Sequence, residues 1–436
     1  MISMAVGGVT DTAARFTVKV DTGPAAIEYS TSADMSGSTT SGSEAVDADG
    51  VATVEVTGLS AGTRYYWRTV DNGTTDTGAT GQLLTDPVAA GQPASFTVAC
   101  VGDAGLRPVV PGTSGAAPER LSNHPIFDTL RQRAVAEDWA RICHLGDICY
   151  YDLGSGNHGL SSSATAAQYR DMWDDILAQH RQHQLYRSVP WAYMWDDHDF
   201  GPNNSDSTSP GRDNACTVYR ERVPSYDLPA GSGANPTYHS FHIGRVLFVV
   251  SDTRADRSPN SDPDTSSKTM LGSAQKTWLD NLLATDTSEA LVWLMPSQWI
   301  GTSSDSWGNF ATERDELVQM VEDNGWSGRV LMVNADKHAC AIDTGSGGNA
   351  SFGGWPVVLC APLDCDSNGN EHTQYDRGMW MRRTGQYATV QAADDGTDVH
   401  LTATVWRGDR AMAWTTLNTG TTTRIGAGSP AAVLAL

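Results

Sequence analysis

The chain has 436 residues, with 51 acidic against 29 basic side chains and a net charge of -22. That length admits a large core and two or three structural units, and it excludes a small scaffold held together by disulfides. The charge repels nucleic acid and anionic membrane surfaces, so any phosphate-bearing substrate needs bound cations to receive it.

No apolar run approaches the ~20 residues that span a bilayer, so no transmembrane segment is expected, and the first residues lack the basic and apolar regions of a signal peptide. The chain is either cytosolic or a mature form whose leader has been removed. Abundant Thr, Ser, Gly and Asp with few Lys favour the second, a secreted or extracytoplasmic protein, and a monomer is expected. Seven cysteines leave at least one unpaired, and Cys360 and Cys365, which flank a short Pro-containing loop, are the pair expected to be bridged.

Residues 1–86 alternate apolar and polar side chains in the short runs Ala14–Val20, Ala26–Tyr29 and Val51–Val56, separated by Gly, Ser and Asp turns. This predicts a small β-sandwich. The segment Leu59–Trp67 resembles the turn into a late strand of fibronectin type III domains, where a Tyr ties the corner. Nothing in the stretch is chemical, so a spacer or packing role is expected, followed by a linker over residues 87–93. Residues 94–436 form the second unit. Its expected strands are Phe96–Val101, Arg141–Leu145, Val189–Trp195, Val246–Ser251, Leu291–Met295 and Val330–Val333. Helical spacing covers Ile126–Ala140 and Ala164–Tyr186, and Ser273 and Thr312 are placed to cap two further helices. A hairpin, Tyr387–Ala392 with Val399–Trp406, follows. The pattern predicts an α/β catalytic domain in which two sheets pack face to face in four α/β/β/α layers.

The strand ends carry the chemistry. Gly102-Asp103 follows the first strand, Gly146-Asp147-Ile148-Cys149-Tyr150 the second, Asp197-His198 the third and Asp336-Lys337-His338 the last. A carboxylate is costly to bury unless it is paired or holds a metal, and a neighbouring His can supply or take a proton beside that metal. Four such segments at one sheet edge offer roughly six or seven oxygen and nitrogen ligands, enough for two metal ions that share a carboxylate. Cys100, Cys143 and Cys149 are either small core residues or thiolate ligands.

The series Gly-Asp, Gly-Asp-x-x-Tyr, Asp-Asp-His-Asp and Asp-x-His resembles the metallophosphoesterase superfamily. The Trp195-Asp196-Asp197-His198 core with Asn203-Asn204 behind it, and Asp252-Thr253-Arg254 after the fourth strand, resemble its PhoD-like alkaline phosphatases and their phospholipase D relatives. The resemblance covers residues 94 to about 420 and extends to the N-terminal sandwich. It implies hydrolysis of small phosphoesters, monoester, diester or choline phospholipid, by a metal-bound hydroxide. It implies that Asp147 bridges a ferric ion and a calcium or other divalent ion, that Tyr150 binds the iron as phenolate, and that His338 completes the iron shell. Asp197 and Asp336 are then ligands of the second ion, and His198 is the catalytic group that assists the leaving group. The first ligand is Cys100 or Asp103, the latter fitting the purple acid phosphatase pattern. Asn204 and Arg254 are candidates to hold phosphate, with Arg254 equally suited to an ion pair, and the role of Gln298 is open.

Overall fold

A computed structural model describes residues 4–106, 121–153, 160, 164–346, 351–365, 375–376 and 383–420. Its architecture follows from two apolar runs of different reach. Strands such as Arg141–Leu145, Val246–Val250, Ala290–Leu294 and Val330–Asn334 are buried at every position, as expected of parallel strands covered on both faces. Successive side chains point to opposite faces. Val246, Phe248 and Val250 therefore enter one core and Leu247 and Val249 another.

Two sheets result. The first has nine strands in the order Arg410–Asn418, Val399–Arg407, Gln386–Asp394, Phe96–Val101, Arg141–Leu145, Trp191–Met194, Met4–Gly7, Ala13–Lys19, Val51–Thr57. The second has six, in the order His239–Ile243, Val246–Val250, Ala290–Leu294, Val330–Asn334, Val357–Cys360, Cys340–Asp343. Val98, Cys100 and Ile142 of the first share a core with Phe248, Val292 and Val333 of the second, so the sheets pack face to face. Helices Ile126–Ala136, Ala166–Ala178 and His180–Tyr186 join that core through Leu130, Trp173 and Leu185. Helices Gly272–Thr285 and Ala311–Asp323 cover the second sheet through Leu279, Leu283, Leu317 and Val321. The fold is mixed α/β with layered sheets. Among the described residues no helix is long and apolar enough to cross a membrane.

Several local expectations change. The helical stretch expected over Ala164–Tyr186 is two helices, because Gln179 adopts extended backbone and ends the first; Thr165 opens that first helix with a capping box to Gln168. Ser273 and Thr312 lie within their helices, which begin after Leu271 and Phe310 without a side-chain cap. The C-terminal hairpin has a third strand, Arg410–Asn418, whose alternation runs half-buried and so carries little periodic signal. Cys360 and Cys365 are not bridged; none of the seven cysteines forms a disulfide, and all are buried. Cys360 lies in register with Cys340 inside the sheet, whereas Cys365 is held beyond the strand end.

Residues 1–86 keep a core of their own, with Val6, Phe16, Ile27, Val54 and Trp67 in it, while part of the stretch shares a sheet with the rest. Met4–Gly7, Ala13–Lys19 and Val51–Thr57 extend the nine-stranded sheet, with Gly7 pairing in parallel with Trp191. Ala25–Ser30 and Arg64–Asp71 anchor a separate five-stranded sheet. The corner tyrosine is Tyr65, whose hydroxyl accepts the Ser60 N–H at 3.0 Å. Buried Arg141 pairs with Asp86 at 2.5 Å, and Arg222 with Asp47 and Asp49 at 2.9 and 3.1 Å. The stretch expected as a spacer or packing partner thus shares a sheet and ion pairs with the rest.

Candidate metal centre

The acid-bearing segments leave their strands through backbone that few residues adopt. Asp103, Asp147, Asn204, Asp336 and His338 have φ between +46° and +71°, a left-handed conformation disfavoured for side chains larger than glycine. Such strain persists where surrounding contacts enforce it, and it gathers at functional sites. The glycines before two of the acids have a steric reason. A Cβ on Gly146 would sit 2.3 Å from the Asp196 nitrogen, and one on Gly102 would sit 2.6 Å from the Ala335 Cβ. Only glycine lets these loops close upon one another.

Main-chain bonds then fix the convergence. Asp103 accepts the N–H groups of Asp336 and His338 at 3.2 and 3.0 Å, tying the first strand end to the last. Asp199 accepts from Asp196 N–H at 2.7 Å, Ile148 N–H at 3.1 Å and the Tyr193 hydroxyl at 2.6 Å, so this acid braces the second and third strand ends. Asp197 accepts the Asn204 N–H at 2.6 Å. Asn204 thus orients a carboxylate through its backbone, while its residue surface is exposed.

Three groups of donors lie with their ligand atoms within 4.8 Å of one another: Asp103, His338 and Cys365; Asp147, Asp197 and His198; Asp196, Asp197 and Asp336. Tyr150 joins the first group to the second, its hydroxyl 2.8 Å from His338 Nε2 and 3.2 Å from Asp147 Oδ2. The set fits cations. Asp196 Oδ2 and Asp197 Oδ1 are buried with no hydrogen-bond donor, the Arg254 guanidinium standing 3.5 Å from the latter, and Asp336 Oδ2 has the Lys337 ammonium at 2.7 Å. Buried carboxylate oxygens in that state are costly unless an ion receives them. Without cations the acids oppose one another. Burial, then Asp336, pushes Asp103 up to about 8, and burial, then Asp197 and Asp196, raises Asp147 strongly. Burial raises Asp197 too, but the Arg254 guanidinium and His198 outweigh it and hold it below its ordinary value.

His198 Nδ1 lies 2.8 Å from Asp152 Oδ2, and its ring contacts that of Tyr150 at 4.5 Å between centroids. Burial disfavours the imidazolium, but Asp197 and Asp152 outweigh burial and raise its pKa to about 9. Asp152 is itself held by the Asn203 N–H at 3.1 Å.

Of the residues singled out in the sequence, Asp103, Asp147, Tyr150, Asp197, His198, Asp336 and His338 come together here. Cys100 does not: it is buried within the sheet beside Cys143, its register partner, and a hydrogen bond from its own thiol to Cys143, together with burial, raises its pKa. Arg254 is fully buried with its guanidinium committed to carboxylates, Asp196 at 2.5 Å and Asp305 at 2.8 and 3.1 Å, and to the Ser205 carbonyl at 3.3 Å. That fork positions acids and is not presented to a phosphate. Gln298 is buried beside Tyr375 and Gly301. Asp152, Asp196 and Cys365 were not singled out as site residues. Asp152 stands five residues after Asp147 in the same acid-bearing segment, a signal the sequence carries, whereas the short loop between Cys360 and Cys365 points to a disulfide and away from the site.

The fold is mixed α/β, with layered sheets and buried carboxylates at converging strand ends. It is similar to a solved structure of PhoD, with a TM-score of 0.73 and 16% identity over 98% of this chain and 92% of that one. It is also similar to purple acid phosphatase from yellow lupin (Lupinus luteus) seeds, with a TM-score of 0.64 and 15% identity over 95% and 73% of the two chains. Residues 114–407 match the PhoD-like phosphatase family, and the chain belongs to it. Alkaline phosphatase D of Bacillus subtilis (strain 168) is 24% identical over 49% of this chain, and the match spans 43% of that relative's length.

Proposed function

We propose that this chain is a metal-dependent phosphoric ester hydrolase of alkaline phosphatase type, acting on phosphomonoesters, phosphodiesters or both. The observation that supports this most is the continuous run of donors from Asp103 through Tyr150 and Asp147 to Asp197 and Asp336, with His198 at its edge. We assign a ferric ion to Asp103, Asp147, Tyr150 and His338, and calcium or another divalent ion to Asp147, Asp196, Asp197 and Asp336. All-oxygen donors suit a hard cation. Bound there, such ions neutralise phosphate oxygens and lower the pKa of a water molecule.

The chain's own residues supply the rest. Asp147 and Asp197 set the spacing of the donors. Arg254, clamped by Asp305, keeps Asp197 ionised and faces it at 3.5 Å. Asp152 takes the Nδ1 side of His198, which leaves Nε2 to carry the proton to the departing alkoxide. The carboxylates of Asp197 and Asp152 favour the protonated imidazole of His198, the state a general acid requires. Elemental analysis combined with parallel assays on a phosphomonoester, a phosphodiester and a choline phospholipid tests the proposal. Turnover of either of the first two by metal-loaded protein is expected. Turnover of the phospholipid alone would move the assignment to a phospholipase D, and metal-loaded protein inert on all three would refute it.

A further inference from the structure

The loop that follows strand Val357–Cys360 is pinned to the first strand end. Leu363 N–H donates to the Gly102 carbonyl at 2.8 Å, and the N–H groups of Asp364 and Cys365 donate to the Asp103 carbonyl at 3.2 and 3.1 Å. Asp364 is in turn anchored by the buried Ser122 hydroxyl at 2.8 Å, which also accepts from Gln182 at 2.6 Å. The Cα atoms of Asp103 and Cys365 are therefore fixed as neighbours, and the Cys365 side chain enters the pocket that Asp103 enters. Its sulfur lies 3.4 Å from His338 Nδ1 and within hydrogen-bonding reach of the Tyr150 hydroxyl. The residue is 1% exposed.

A thiol packed only by apolar neighbours is an inert core residue. Cys365 is surrounded instead by a carboxylate, a phenol and an imidazole, each a potential ligand. Its donor atom and those of Asp103 and His338 lie within 4.8 Å of one another, a spread that one ion at about 2.0–2.3 Å from nitrogen, oxygen and sulfur ligands can occupy. No other cysteine belongs to a donor group among the described residues. From this geometry we infer that Cys365 supplies a thiolate ligand to the first metal, alongside Asp103, Tyr150 and His338. Metal binding then displaces the thiol proton to solvent. A soft sulfur donor sets this position apart from the all-carboxylate one and favours a transition ion such as iron or zinc over calcium.

The inference rests on the metal-centre reading above, and X-ray absorption at the edge of whichever metal the purified protein contains separates the two. A sulfur scatterer at about 2.3 Å is expected in wild-type protein and in Cys100→Ser. It should be lost in Cys365→Ser, which retains metal through its oxygen and nitrogen donors. Bound metal with only oxygen and nitrogen neighbours in wild type would overturn the thiolate and leave the centre intact; it would place Cys365 as a partner of His338 outside the coordination shell. Sulfur that persists in Cys365→Ser would also overturn it. Protein that takes up no metal on reconstitution would overturn the centre and the thiolate together. If Cys365→Ser does not fold, alkylation of wild type decides: Cys365 should be modified after chelation and protected by metal, and equal modification in both states would count against the inference.

Discussion

On one side of Asp147 the donors are a carboxylate, a phenol, an imidazole and a thiol; on the other they are carboxylates, with the Arg254 guanidinium behind them and the Lys337 ammonium at their edge. The first side can be nearly neutral when its phenol and thiol are protonated, and becomes strongly anionic only as a metal displaces those protons. On the second side Asp197 is held ionised by the Arg254 guanidinium and His198, and the protein's own cations stand beside its carboxylates. Metal should therefore be held on the first side by covalent character and matched geometry, and on the second by charge, which exchanges faster and yields to chelators. On the proposed assignment, one fold edge would present a slow site and a fast one joined by a single shared acid.

The largest expected effect comes from removing what the two sides share. Asp147→Asn should lower metal content at both positions and reduce phosphoesterase activity to background, with the fold retained by circular dichroism. A mutant that keeps full metal content and activity would show that the sides are independent. Chelation with a calcium-selective agent should remove activity reversibly while iron stays, and unchanged activity after exhaustive chelation, with no second metal detected, would dissolve the distinction between fast and slow sites. His198→Asn should keep both metals and lose about 10²–10⁴ in kcat on an alkyl phosphoester, but clearly less on an activated aryl ester that leaves without a proton. Loss of metal in that variant would make His198 a ligand and extend the nitrogen donors to the second side.

The smallest effect concerns the strand that delivers Asp147 and sharpens the comparison by removing a background. His144 is fully buried with no partner for either ring nitrogen, and burial lowers its pKa from 6.5 to about 3. Below pH 6.5 the unfolded chain takes up a proton that the folded chain refuses. The stability this neutral histidine allows is thus complete above that pH and declines as pH falls towards 3. At pH 4.5 the loss is about 2–3 kcal/mol. His144→Leu should flatten the fall in Tm between pH 7 and 4.5, leaving what remains to the two metal sites; an unchanged profile would mean that the ring finds a partner when protonated.

Much of the scaffold was legible because it is written in short-range pattern. Strands Phe96–Val101 and Arg141–Leu145 stand where apolar runs placed them, since a strand buried on both faces is apolar at most positions. Ser273 and Thr312 misled because a capping residue type is no cap unless its hydroxyl reaches an orphan N–H, and the chain enters those helices one or two residues earlier.

By itself the sequence determined the four acid-bearing strand ends, since Gly-Asp steps and the Asp-Asp-His-Asp run are local and the glycines are required by close backbone approach. Only the tertiary structure decided which partner each multivalent side chain meets. Arg254 could have faced phosphate and instead faces Asp196 and Asp305; Cys365 could have met Cys360 and instead meets His338; Asp152 could have been a solvated loop acid and instead faces His198. Each choice is made by loops from separate parts of the chain closing on one another, and a side chain's charge or softness is satisfied by whichever neighbour that closure delivers.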